Sequence, residues 1–186
     1  MKLSKVMTRK AFENAIVTLA AIGGSTNAVI HLVAMARRIG VELCIEDFDR
    51  LASDLSCLVN LQPSGKYLME DFCYAGGLPA VMKEISHLLH QDIVTVTGQT
   101  VAQNIADAEN YNTDVITPLA TPFKEKAGIA ILKGNLSPRG AVIKPSAATP
   151  SLLVHKGRAV VFDDIEDFHK RIDDENLDVD ENCVLV

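Results

Sequence analysis

Two short glycine-containing stretches hold the residues best suited to chemistry. The first is Gly23-Gly24-Ser25-Thr26-Asn27. Paired glycines let another backbone or a ligand come close, and Ser25, Thr26 and Asn27 are all helix-capping types. A helix that starts there presents unpaired N–H groups and a positive dipole end, which suit a carboxylate or phosphate. The same residues equally make a plain link between two packed helices, with Ser25 as the cap. The second stretch is Pro63-Ser64-Gly65-Lys66, where Lys66 either meets an anionic ligand or simply faces water. It is no P-loop, because no glycine stands five residues before Gly65.

Other reactive residues form no recognisable set. His87 and His90 lie three apart on an expected helix without a carboxylate-rich motif beside them. His31 falls in an apolar helix and reads as a core histidine. Cys44, Cys57 and Cys73 each stand among apolar residues, so packing explains them better than ligation. No C-x-x-C pair is present, and reduced thiols in a cytoplasmic protein are expected. Asp174, Asn176, Asp178 and Asp180 alternate as in a calcium loop, but Val179 stands where an EF-hand needs glycine. No nucleophile–base–acid order emerges from the residues themselves.

These residues must be positioned by the elements around them. Thr8 caps an expected helix in which Phe12, Ala15, Ile16, Leu19 and Ala20 recur at helical spacing up to Gly23-Gly24. The next helix, 28–39, is apolar nearly all round and should be a central buried helix. Further helices are expected at 46–55, 67–75, 79–90 and 100–108, with a short strand at 92–97. Beyond residue 113 the texture changes. Pro118 and Pro122 sit in a polar connector, and strand-like runs follow at 128–132, 140–143, 158–162 and 183–186, interrupted by a helix at 165–172. The fold class is α/β, with a helix-rich part (1–112), a linker (113–127) and a β-rich part (128–186). The last run ends bare in Val184-Leu185-Val186, as a truncated domain would.

Composition excludes several classes. The chain has 186 residues, 48% hydrophobic and 23% charged, enough for a real core. Its net charge of −6 is concentrated between Asp163 and Glu181, and the remainder is nearly neutral with no basic cluster, so no nucleic-acid partner is expected. The apolar run 28–36 is broken by His31 and falls far short of the ~20 residues that span a bilayer, so no membrane partner is expected either.

Taken in order, several runs carry a family resemblance. They are Thr8-Arg9-Lys10-Ala11-Phe12-Glu13-Asn14, Gly23 to Leu32, Pro63 to Phe72, Gly76-Gly77-Leu78-Pro79, Gly134-Asn135-Leu136 with Gly140-Ala141-Val142-Ile143-Lys144, and Ala159-Val160-Val161-Phe162. Together they resemble the dihydroxy-acid dehydratase (IlvD/Edd) family across nearly the whole chain. The run Tyr67 to Leu78 is most similar to the sugar-acid branch, which dehydrates aldonic acids such as arabinonate or xylonate; the branched-chain amino-acid branch is the alternative.

The resemblance implies a hydro-lyase that converts a 2,3-dihydroxy sugar acid to a 2-keto-3-deoxy acid. It implies an iron–sulfur cluster that acts on the leaving hydroxyl, magnesium at the carboxylate end, a serine that takes the C2 proton, and a homo-oligomer at full length. It also implies that the cluster cysteines lie upstream of these motifs, and that the magnesium ligand and catalytic serine lie downstream. The chain is then expected to be an internal fragment, inactive alone and without bound cofactor. No catalytic or metal residue carries over to it. Ser25, Thr26, Asn27 and Lys66 are the candidate substrate-binding residues. A stand-alone anion-binding or interaction module is the reading of another class.

Overall fold

Thr8 opens the helix on which the rest is organised. Its hydroxyl accepts from the Ala11 N–H, and α2 then runs Arg9–Ala21 after a short α1, Leu3–Val6. In this computed structural model, residues 2–126 and 128–186 are described. Neighbouring residues of α2 feed different cores. Ile16 and Ala20 join Val29, Phe48, Ala52 and Ile129, whereas Val17 and Ala21 join a larger cluster with Leu58, Val81, Ile85, Val115 and Ile116. The small alanines let α2 serve both sides.

Two further helices, α3 (Asn27–Arg38) and α4 (Ile45–Ala52), pack on α2. The expectation of a central, fully buried α3 is corrected. Only Val29 and Ala36 are buried, with Leu32 and Val33 half-buried against the core, while Ile30 is 68% exposed. Its neighbours α2 and α4 cover one stripe and leave the other face open, so apolar composition alone overstated its burial. His31 lies on that open face and is not a core histidine.

The larger core is closed by α5 (Met69–Tyr74), α6 (Gly77–Glu84) and α7 (Val101–Ile105). Thr100 and Gln103 cap α7 reciprocally, through Gln103 N–H to Thr100 Oγ1 at 3.2 Å and Thr100 N–H to Gln103 Oε1 at 2.9 Å. The expected strand at 92–97 is instead a loop with a single bridge between Val94 and Thr100. The Thr95 carbonyl takes the Gly98 N–H, and the Thr95 N–H goes to Gln99, so the segment turns on itself before it can pair further.

The polar segment after residue 113 is threaded along the core. Val115 and Ile116 are fully buried, Thr117 donates its N–H to the Leu58 carbonyl, and Cys57 and Lys124 exchange backbone hydrogen bonds. Strands β1 (Ala130–Leu132) and β2 (Ala141–Ile143) follow as an antiparallel pair, with Ile131 opposite Val142, and β1 lies on α4.

The chain divides into two compact units, the first ending at Ala147 and the second spanning Ala148–Val186. In the second, β3 (Ala159–Val160) pairs in parallel with β4 (Val184–Leu185). The terminal run is therefore paired with the earlier strand β3. Between them, α8 (Ile165–Arg171) is capped by the Asp164 carboxylate, and Phe168 meets Phe162 edge-on at 5.2 Å.

Candidate functional site

Helix α2 ends in a Schellman motif. The Gly24 N–H reaches the Leu19 carbonyl at 2.9 Å and the Gly23 N–H reaches Ala20 at 3.0 Å. Gly23 has φ +59°, the left-handed conformation that only glycine adopts without strain. A Cβ on Gly24 would stand 2.2 Å from Leu19 Cδ1. Both glycines thus have local reasons to be there.

Ser25 then does the capping. Its Oγ accepts from the Asn27 N–H at 3.2 Å, and its carbonyl accepts from Ala28 at 3.0 Å, while Val29 donates to the Thr26 carbonyl. The first N–H groups of α3 are consequently engaged within the turn. What the turn presents outward is side chains: Ser25 and Asn27 are exposed and Thr26 is half-buried, with its hydroxyl making no cap bond. Ser25 and Asn27 are among the few polar residues lining a cleft of about 810 Å³ between α2, α3 and the 93–96 loop. Apolar side chains such as Leu19, Leu32, Met35 and Met82 form most of its wall.

On another side of the turn, three residues distant in sequence converge. Lys144, just after β2, donates from Nζ to the Gly23 carbonyl. Cys57 is buried, and its Sγ lies 2.8 Å from where a Gly23 Cβ would be. Lys124, paired with Cys57 through the backbone, donates from Nζ to the Ser146 carbonyl at 2.5 Å. Burial pushes the Cys57 thiol up; a backbone hydrogen bond with Val59 and the charges of Lys144 and Lys124 act the other way. Ser146 is 5% exposed, and its hydroxyl has no partner among the described residues.

Lys66 occupies a separate, self-closed loop. Its N–H donates to Asn60 Oδ1 at 2.8 Å, Tyr67 donates to the Asn60 carbonyl, and Gly65 packs so tightly that a Cβ would stand 2.6 Å from the Asn60 carbonyl carbon. The ammonium lies 5.3 Å from the centre of the Tyr67 ring. No hydrogen bond joins Lys66 to Ser25, Thr26 or Asn27 among the described residues. The half-buried Ser64 hydroxyl is also unpartnered there.

An ion network braces α2 below the turn. Asp47 receives Arg9 at both oxygens and Arg50 at 2.9 Å, and Glu13 receives Arg9 at 3.0 Å and His90 at 2.7 Å. The Arg9 hydrogen bond holds the Asp47 carboxyl far below its usual range despite burial. Burial alone would raise Glu13, but Arg9 and His90 hold it low.

The thiols depart from the packing expectation. Cys57 is buried, but Cys44 and Cys73 are exposed, one preceding α4 and the other on the outer face of α5. Among the described residues no three His, Cys, Asp or Glu side chains converge as a metal group would need. The residues present therefore do not fit an iron–sulfur cluster or a magnesium site, and no step can be routed through either on them. Sequence reading did not single out Lys124 or Lys144. Lys144 closes the Gly140–Lys144 run that carries the family resemblance, but nothing local ties it to Gly23, and that meeting is purely tertiary.

Comparison with known proteins bears on the whole chain. The N-terminal model of dihydroxy-acid/6-phosphogluconate dehydratases matches residues 1–104, and the corresponding C-terminal model matches 114–186. An L-arabinonate dehydratase of Rhizobium leguminosarum bv. trifolii is 58% identical over 100% of this chain and 32% of its own length. An L-arabonate dehydratase of Azospirillum brasilense is 54% identical over 99% of the chain, and a D-xylonate dehydratase of Caulobacter vibrioides 46% over 97%; each is likewise covered over 32% of its length. The chain thus spans about a third of the length of these relatives.

Proposed function

Because the chain belongs to the dihydroxy-acid/6-phosphogluconate dehydratase family, we propose that it is part of a hydro-lyase acting on a five-carbon sugar acid. The observation that carries this reading is the 58% identity to an arabinonate dehydratase over the entire chain. A dihydroxy-acid dehydratase of Acetivibrio thermocellus is 47% identical over 88% of the chain, and we keep a branched-chain dihydroxy acid as the second reading.

In the proposed reaction a proton leaves C2, hydroxide leaves C3, and the resulting enol tautomerises to the 2-keto-3-deoxy acid with net loss of one water. When bound, the family's iron–sulfur cluster and magnesium supply Lewis-acid assistance to the hydroxide and charge neutralisation at the carboxylate; we assign both to residues outside this chain. The role we propose for this chain is recognition. Thr26 and Asn27 offer side chains that the turn does not use, and Ser25, whose Oγ accepts the Asn27 N–H, still has its hydroxyl proton to give to a substrate oxygen. Lys66 is proposed as a second, separate anion contact. We keep a proposed linker at 113–127; the N-terminal family model ends at 104 and the C-terminal one begins at 114. Four free thiols suit the proposed cytoplasmic setting.

The test is a substrate panel on the full-length protein, reading 2-keto acid formation. L-Arabinonate should be preferred over D-xylonate, and both over a branched 2,3-dihydroxy acid. Preference for the branched acid would reject the reading.

A further inference from the structure

We propose that the apolar cleft between α2, α3 and the 93–96 loop is a docking groove, filled in the full-length protein by an apolar segment of the polypeptide that leads into α1. The inference rests on the function proposed above only in taking this chain as part of a longer enzyme.

The cleft is built like a core with one layer missing. Leu19 of α2, Leu32 and Met35 of α3, Leu78 and Met82 of α6, and Val96 of the loop stand around about 810 Å³. Met35 and Leu78 are each 44% exposed, and Val96 is 78% exposed. Apolar exposure gathered in one place marks an interaction surface, whereas scattered single residues do not. Residues 28–39 have a composition suited to burial on more than one side. Helices α2 and α4 cover one stripe of α3 and leave Met35 on the open side.

Three observations choose the occupant. The Rhizobium leguminosarum relative aligns with this chain over 188 residues, yet only 32% of its length is covered, so its additional polypeptide flanks the aligned region. The cleft wall is drawn from residues between Val6 and Val101, all within the 1–104 matched by the N-terminal family model, which points to cover from the N-terminal side. Helix α1 carries Val6 into the wall, so polypeptide entering α1 arrives at the edge of the cleft.

Other occupants fit less well. A two-fold contact with a second copy would set one concavity against another. A sugar acid would lose water from its hydroxyls and carboxylate against a wall with few polar partners. Ser25 and Asn27 are among those few, so the docked segment comes to lie beside the proposed recognition turn.

Site-specific photo-cross-linking of the full-length protein tests this. A benzophenone amino acid replaces Val96 or, separately, Leu78, and melting temperatures check that each variant folds. Illumination should give a product that still migrates as one polypeptide, with the cross-link mapped by mass spectrometry to the stretch before α1. A covalent dimer would assign the groove to a second copy, a cross-link beyond residue 186 would assign it to downstream polypeptide, and no cross-link at either position would leave it open; each overturns the proposal. Met35→Cys is a smaller change and decides if the benzophenone variants do not fold. Maleimide labelling at that site should be about a hundredfold slower in the folded protein than in urea, as when reaction waits on local opening, and the protection should persist on dilution. Unprotected labelling, or protection lost on dilution, overturns the proposal as well. The substrate panel keeps the two readings apart. The expected cross-link with a branched acid preferred keeps the groove and rejects the sugar acid, whereas a covalent dimer with L-arabinonate preferred does the reverse.

Discussion

The Gly23–Asn27 turn and the Asn60–Tyr67 loop look alike in sequence, each with glycine, serine and a polar residue that could face an anion. Folding treats them differently. The Asn60 loop is closed by its own members, with the Asn60 side chain and backbone satisfying Lys66 and Tyr67. The Gly23 turn is closed locally only as a helix cap, and its flank is completed by residues 57, 124 and 144. A local motif can therefore be complete in itself or be one wall of a site whose other walls come from far along the chain. Side-chain chemistry alone does not separate the two.

Substitutions can break this contrast. The largest effect is expected for Gly65→Ala. The new Cβ would lie 2.6 Å from the Asn60 carbonyl carbon and 2.8 Å from the Leu61 nitrogen, backbone that cannot step aside. A loss of about 3 kcal/mol in urea denaturation is expected, with turnover per folded molecule unchanged. A drop in turnover at constant stability would show that the loop backbone, and not the Lys66 side chain alone, serves the site.

Next comes the brace beneath the turn. Asp47→Asn should cost about 2 kcal/mol, less than a fully buried pair because Arg9 and Arg50 are partly exposed. The sign with pH follows from the lowered carboxyl. Its contribution is complete above the unfolded value of about 4 and fades as pH falls below it. Melting curves of wild type and variant between pH 7 and pH 2 should converge at the acid end. Parallel curves would show that Asp47 does not carry this part of acid stability.

Smaller still, Thr26→Ala and Asn27→Ala in the full-length enzyme should lower kcat/KM about tenfold, equivalent to about 1.4 kcal/mol of lost hydrogen bonding, with melting temperature nearly unchanged. Loss of stability with turnover retained would leave the turn a structural cap. Lys66→Ala should have the least effect, under about 0.5 kcal/mol on stability and a small change in KM. A large KM increase would promote the Asn60 loop to equal rank with the turn.

Much of this was legible in the residues. Thr8 as a cap, the Gly23-Gly24 stop, the helix starting near Thr100 and the four strand-like runs all rest on local rules of capping, periodicity and turn chemistry, and each element formed near its expected place. The ordered motifs also carried the family. Burial was less legible. Periodicity ranks faces within a helix but does not say how many neighbours will cover them, so α3 was expected deep and emerged half open. Likewise Cys44 and Cys73, apolar in context, ended at the surface.

The sequence by itself determined the local devices: which residues cap, which turn, and which side chains the Ser25–Asn27 stretch offers. Only the tertiary structure decided which of them share a site. Lys144 lies more than a hundred residues from Gly23, and the Gly140–Lys144 run that contains it says nothing of where its side chain will reach. Its meeting with Gly23 and Cys57 follows from β1, with β2 paired to it, settling on α4 while the segment after residue 113 runs along the core. Hydrogen bonds between such distant partners depend on the packing of every element between them, and short-range spacing carries no record of that.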